Sequence, residues 1–162
     1  MPPVSSSLFE GIIVLYELYC DGACQPNPGT GGWAFILYPA DTPAVRMTGS
    51  GKVENTTNNR MELTALIKGL EKFFDYFNWG GRSLCFVSDS MYLIQGVTSW
   101  SEKWQKSNWI KADGKPVLNQ DLWKEIVGYK MRIPLSCRYV PGHKGVPLNE
   151  ECDRMAVRAI RG

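Results

Sequence analysis

The sequence predicts an α/β fold built on a mixed sheet, with elements in the order βββαβααβα. Three observations carry this expectation. Three apolar runs separated only by Pro/Gly/Asp turns open the chain, as in an antiparallel meander. At Asn58 the apolar period switches to three or four residues, the spacing of a helix. Two later short apolar runs, "SLCFVSD" and "SCRYVPGH", are each reached through helical segments, so their strands run parallel to a neighbour.

Taken in order, residues 12–20 are almost wholly apolar, β-branched or aromatic, the pattern of a strand buried on both faces. That run breaks at Asp21, and "GGWAFILYP" and "AVRMTGSGKVEN" supply the second and third strands. Leu63, Leu66, Leu70, Phe73 and Phe77 line one face of the first helix, which "NWGG" ends. After "SLCFVSD" come a helical stretch over residues 90–107, the loop "KADGKP" and a helix through "NQDLWKEIVGYK". The last strand, "SCRYVPGH", precedes the last helix, "NEECDRMAVRAI".

The 162 residues, 44% hydrophobic and 21% charged, suit one domain over residues 1–162 with a loose tail at about 1–11. Five cysteines without a CxxC or Cys/His cluster indicate neither a disulfide framework nor zinc, which fits a reducing, cytoplasmic setting. The opening lacks a basic start for a signal peptide, and Glu17 interrupts the apolar run, so secretion and a membrane span are unsupported. Net charge is +2 but unevenly placed: residues 1–99 carry 6 Lys/Arg against 9 Asp/Glu, and residues 100–162 carry 12 against 7. That asymmetry fits an acidic site beside a basic surface for a polyanion, or a solvated basic face.

Four acids stand at element ends. Asp21 and Asp89 each follow an apolar strand, where neighbouring parallel strands open onto one crevice. Glu62 lies on the stripe of Leu66 and Leu70, and Asp153 on that of Ala156, Val157 and Ile160. Each has a local alternative: a turn for the strand-end acids, a capping box from Asn59 for Glu62, and a helix dipole behind an Asn149 cap for Asp153. Together, four inward carboxylates would repel one another unless a cation sits among them. An all-oxygen set suits Mg²⁺ or Mn²⁺, and paired ions of this kind serve displacement at phosphorus. The glycines of "GTGG" lack a P-loop ending and read as a tight hairpin turn close to substrate.

The blocks "CDGACQPNPGTGGWAF", "TTNNRMEL", "VSDSMYLIQG" and "VPGHKGVPLNEECDRMA" resemble the four signature blocks of type 1 ribonuclease H, and "WSEKWQKSNWIKADGKPVLNQDLW" resembles that family's basic protrusion. The resemblance spans nearly the whole chain. It implies a ribonuclease H-like fold, a five-stranded mixed sheet flanked by helices on both faces, and cleavage of the RNA strand of RNA–DNA hybrids to 5′-phosphate and 3′-hydroxyl ends. It further implies two Mg²⁺ ions with substrate, Mn²⁺ substituting, with Asp21 bridging both, Asp153 completing the nucleophile-side ion and Glu62 and Asp89 holding the other. His143, the only histidine, matches the family residue that assists proton movement or product release; Glu150 and Asn149 are supporting candidates.

For the substrate, the resemblance assigns minor-groove contacts to Asn27 and to the backbone near Gly22 and Cys24. It assigns 2′-hydroxyl reading to Asn58 and Asn59, and a DNA-phosphate pocket to Thr57 and Asn119. Trp100 is given to the DNA strand and Trp104 to the core, while Lys103, Lys106, Lys111 and Lys115 meet phosphate without reading sequence. Met91 and Ala23 stand where many relatives carry Gln and Ser, and Glu102 and Ser107 dilute the protrusion. The expected partner is the hybrid duplex, engaged by a monomer away from membranes. The rivals are another metal nuclease on this fold and a non-catalytic hybrid-binding module, which would ordinarily have lost an acid.

Overall fold

The computed structural model describes residues 14–77 and 82–162. The expected tail at about 1–11 and the helix end at "NWGG" lie outside the described residues. Strands β1 (Val14–Gln25), β2 (Gly29–Pro39), β3 (Met47–Thr56), β4 (Arg82–Ser88) and β5 (Leu135–Tyr139) form one sheet in the order β3-β2-β1-β4-β5. The first three are antiparallel, and β1–β4 and β4–β5 are parallel. This is the five-stranded mixed sheet expected from the sequence.

Helices cover both faces, and strand alternation sorts the core between them. Tyr16, Leu18 and Cys20 of β1 join Phe35 and Leu37 of β2 on the face covered by α1 (Asn58–Tyr76) and α4 (Gln120–Lys130). Tyr19, Ala34 and Ile36 point the other way, against Cys152 and Ala156 of α5 (Pro147–Arg161). The expected helical stretch at residues 90–107 is α2 (Met91–Gln95), a π turn (Gly96–Trp100) and α3 (Ser101–Lys106) in succession. A Cβ at Gly96 would collide with the indole ring of Trp123, and the widened turn carries the chain past that fully buried side chain.

Three local expectations are corrected. β1 does not end at Asp21 but runs to Gln25, because β2 pairs it throughout; only its pairing with β4 stops, at Tyr19. The glycines of "GTGG" are not the hairpin turn, which residues 26–28 make, but part of β2. Helices press on the strand at two of them: a Cβ on Gly31 would lie 2.5 Å from Met61 Cγ of α1, and one on Gly32 would run into the Ala156 carbonyl of α5, while one on Gly29 would run into the Pro26 carbonyl of the turn. The cap of α1 is Thr57, whose Oγ1 accepts from the Arg60 N–H at 3.2 Å, not Asn59; α5 begins at Pro147, so Asn149 is inside the helix and caps nothing.

Candidate active site

The end of the β1–β4 pairing places the acids. Asp21 sits two residues beyond the last β1–β4 pair, and Asp89 directly follows β4, so both open onto the same crevice. Gly22, on the α1 side of β1, leaves no room for a Cβ against the backbone of Met61 and Glu62, which lets the first turns of α1 settle onto the strand and deliver Glu62. Carboxylate oxygens of Asp21, Glu62 and Asp89 consequently all lie within 4.8 Å of one another. Asp153, on α5, is outside that set of three but is among the charges acting on Asp21.

Asp21 and Glu62 are 3% and 5% exposed, and Glu62 Oε2 is buried without a hydrogen-bond partner. Burial, then the Asp89 and Asp153 charges, push the Asp21 carboxyl up to about 8, although the Gly22 N–H donates to its Oδ1 at 2.9 Å. Burial, then Asp21 and Asp89, hold Glu62 well above the ordinary carboxylate range. Without a cation the cluster therefore retains protons at neutral pH. An all-carboxylate donor set with an orphaned buried oxygen fits a hard divalent cation, whose charge would remove the cause of both displacements.

The supporting residues converge on Asp89. Asn149, 2% exposed, donates from Nδ2 to Asp89 Oδ2 at 3.1 Å, so the Asn149 amide fixes the carboxylate rather than the helix start. The loop before α5 passes so close that a Cβ on Gly142 would lie 2.9 Å from the same oxygen. His143 follows, exposed and in the left-handed region at φ 55°. The Gly145 N–H donates to Glu150 Oε1 at 3.2 Å, tying this loop to α5.

The model of the RNase H family matches residues 15–161. The chain belongs to the RNase H family. Among curated relatives, "Ribonuclease H" of Treponema denticola is 43% identical over 154 residues, spanning 90% of this chain and 96% of the relative. "Ribonuclease H" of Caldanaerobacter subterraneus subsp. tengcongensis is 44% identical over 151 residues, spanning 91% and 92%. Among solved structures, LC9-RNase H1, a type 1 RNase H with the type 2 active-site motif, aligns with a TM-score of 0.79 at 26% identity over 93% of this chain and 74% of that one. LC11-RNase H1 in complex with RNA/DNA hybrid shares the fold at a TM-score of 0.70 and 23% identity, over 90% and 96%.

In this RNase H family member the substrate candidates fall into two groups around the crevice. Asn58 and Asn59 begin α1, and the Asn58 N–H donates to Asn27 Oδ1 at 3.0 Å, which ties the hairpin tip to the helix start. Gly22 and Cys24 lie on the part of β1 that has no strand partner on the β4 side, although the Cys24 thiol itself is buried against the carbonyls of Pro26 and Thr56. A cavity of about 340 Å³ is lined by Pro28, Gly29, Asn55, Thr56, Thr57 and Arg60.

Asn119 reaches that cavity through Arg60, whose Nη1 donates to its Oδ1 at 3.2 Å while Asp121 takes the rest of the guanidinium at 3.0 and 2.8 Å. Asn119 also donates to the Tyr92 hydroxyl at 3.1 Å and stands at φ 61°. Arg60 and Tyr92 were not among the residues the sequence singled out. The signal for Arg60 was its place one turn beyond Thr57 on the same helix; nothing in the sequence ties Tyr92 to Asn119, 27 residues away.

Trp104 packs on the core and meets Trp100, Trp109 and Trp123 in tilted ring contacts at centroid separations of 5.9, 6.1 and 5.3 Å. Lys103 and Lys106 are exposed on α3, whereas Lys111 is paired with Asp113 at 3.7 Å.

The displaced Asp21 predicts a pH-dependent cost in the metal-free protein. The folded chain holds a proton between 3.8 and about 8 that the unfolded chain releases, so stability falls as pH rises through that window. Asp21→Asn is expected to melt on the order of 10 °C higher than the parent, or more, in chelator at pH 9. One pKa unit is worth about 1.4 kcal/mol, and each kcal/mol about 2–4 °C at this size. The gain should vanish below about pH 4; melts at pH 4, 6 and 9 that show a constant difference would contradict it.

Proposed function

We propose that this chain hydrolyses the RNA strand of RNA–DNA hybrids, leaving 5′-phosphate and 3′-hydroxyl ends, with Asp21, Glu62, Asp89 and Asp153 holding two divalent cations. The observation that carries this is the meeting of three carboxylates within 4.8 Å in a chain of the RNase H family. Bound there, a hard cation such as Mg²⁺, with Mn²⁺ as substitute, supplies Lewis-acid polarisation of a phosphate and a lowered pKa for bound water.

The chain's own residues do the rest. Asp21 and Glu62 give up their protons on metal uptake, and Asn149 holds Asp89 in its orientation through the 3.1 Å hydrogen bond. Asn58 and Asn59, one helical turn from Glu62, offer amides to the 2′-hydroxyls that mark the RNA strand in the minor groove. Thr57 and Arg60 line the cavity that would take a phosphate of the DNA strand, and Asn119 holds the Arg60 guanidinium there. His143, on a loop packed against Asp89, moves a proton at the departing oxygen or helps expel the new end.

Incubation with a hybrid labelled in either strand, with Mg²⁺ and with chelator, tests the proposal against duplex DNA and duplex RNA. Cutting confined to the RNA strand of the hybrid supports it; cutting of duplex DNA, or none, refutes it. The protrusion has its own test. Replacing Lys103, Lys106, Lys111 and Lys115 with Ala is expected to flatten the log–log salt dependence of hybrid binding by roughly 0.7–0.9 per lost phosphate contact. Lys111 should contribute least because Asp113 already neutralises it. An unchanged slope would return these lysines to a solvated surface.

A further inference from the structure

On the sheet face opposite α1 and α4, α5 carries Arg154, Arg158 and Arg161, spaced four and three residues apart and so aligned on one face. All three are exposed. With Asp153 and Val157 they line a groove of about 280 Å³, so the arginine face begins at the candidate catalytic acid itself. Among the described residues no carboxylate lies within 4.0 Å of any of the three, whereas Arg46 and Arg60 are paired with Glu151 and Asp121.

The direction of the helix decides where this face leads. The Cys152 thiol lies against the Tyr19 carbonyl at 3.5 Å, while Ala156 and Ile160 lie against Gly32. Gly32 pairs with Ala23, two residues past Asp21 toward the hairpin. α5 therefore climbs in the same sense as β1, out of the crevice and toward the side where Asn27 stands. Charge at a helix C-terminus favours cations in its last turn, which accounts for Arg158 and Arg161. It does not account for Arg154, in the middle of the helix, which makes no ion pair among the described residues although Asp153 and Glu151 stand near it.

We propose that Arg154, Arg158 and Arg161 form a second phosphate track, which holds the sugar–phosphate backbone of the hybrid flanking the scissile bond. Seven residues of helix advance about 10 Å, against about 7 Å for the two steps between three successive phosphates at about 3.4 Å each, a difference that long arginine side chains can absorb, so one guanidinium per phosphate is geometrically available. This track rests on the hybrid-cleaving function proposed above, and it gives the substrate a cationic contact on each side of the acids. Arginine suits the task through its forked, permanently charged donors.

The test is the salt dependence of hybrid binding, read beside cleavage. Arg154→Gln/Arg158→Gln/Arg161→Gln is expected to lower the log–log slope by roughly 2–3, at about 0.7–0.9 per contact, and the three Arg→Lys replacements should largely keep it. A triple Gln variant that binds with the parent's slope overturns the track and leaves the proposed function standing. If the triple variant does not fold by circular dichroism, Arg154→Gln alone decides: a slope reduced by roughly 0.7–0.9 supports the track, and an unchanged slope overturns it. Failure of the unmodified chain to cut a hybrid overturns both, and is seen without any variant.

Discussion

Asp89→Asn is expected to abolish hybrid cleavage while the fold and hybrid binding survive. Asp89 stands just past β4 and is half-buried, so its side chain fills little of the core. Its carboxylate is placed by the Asn149 amide at 3.1 Å and belongs to the group within 4.8 Å. An amide retains the shape but loses the negative charge that a hard cation requires. Replacing even residues that only orient a ligand costs about 10–100-fold, so a ligand itself should cost more. Retention of more than about a tenth of the parent's activity, measured on a labelled hybrid at saturating Mg²⁺, would remove Asp89 from the metal set.

His143→Ala is expected to lower kcat by roughly 10²-fold and leave KM within a few-fold, the signature of a positioned acid–base group that binds no substrate tightly. His143 is exposed, so truncation opens no cavity. The neighbouring Gly142 is pressed against Asp89, and the Gly145 N–H is fastened to Glu150, so the backbone that carries His143 is held at both ends. Comparing single-turnover with steady-state rates separates the two possible roles. Equal losses assign His143 to proton transfer; a loss confined to steady state assigns it to product release. Parent rates in both regimes would leave it a loop residue.

The succession of strands and helices and the helical period were legible because apolar runs and the switch at Asn58 are local properties of the chain. The carboxylates of Asp21, Glu62 and Asp89 do meet, and each was conspicuous because an acid that follows an apolar run or sits on an apolar stripe is also a local feature. The misreadings share a cause. Asp21 looked like a strand end because an acid interrupts an apolar run, but the β2 pairing that continues past it depends on residues 30–33. Gly31 and Gly32 looked like a turn because glycine is common there; their real reason, two helices pressing on opposite faces, is set by Met61 and Ala156, far off in sequence. Thr57 rather than Asn59 caps α1, a choice between adjacent polar residues that local preference does not separate. The links of Tyr92 and Arg60 to Asn119 were hidden for the same reason, because a hydrogen bond across 27 or 59 residues leaves no periodic trace, and only the place of Arg60 one turn beyond Thr57 pointed to it.

The clamping of β2 between helices has a mechanical outcome. Gly31 meets α1 and its neighbour Gly32 meets α5, so the base of the β1–β2 hairpin is gripped from above and below. A hairpin held in this way does not pivot independently of the helices that carry Glu62 and Asp153. Asp21 and Gln25 are separated by four strand residues, about 13 Å at 3.3–3.4 Å each, and Asn27 lies just beyond. The hairpin is thus a stiff gauge bar fixed to the acids: under the proposed function, whatever its tip touches on the duplex would lie at a constant offset from the cut, set by strand length rather than by base sequence.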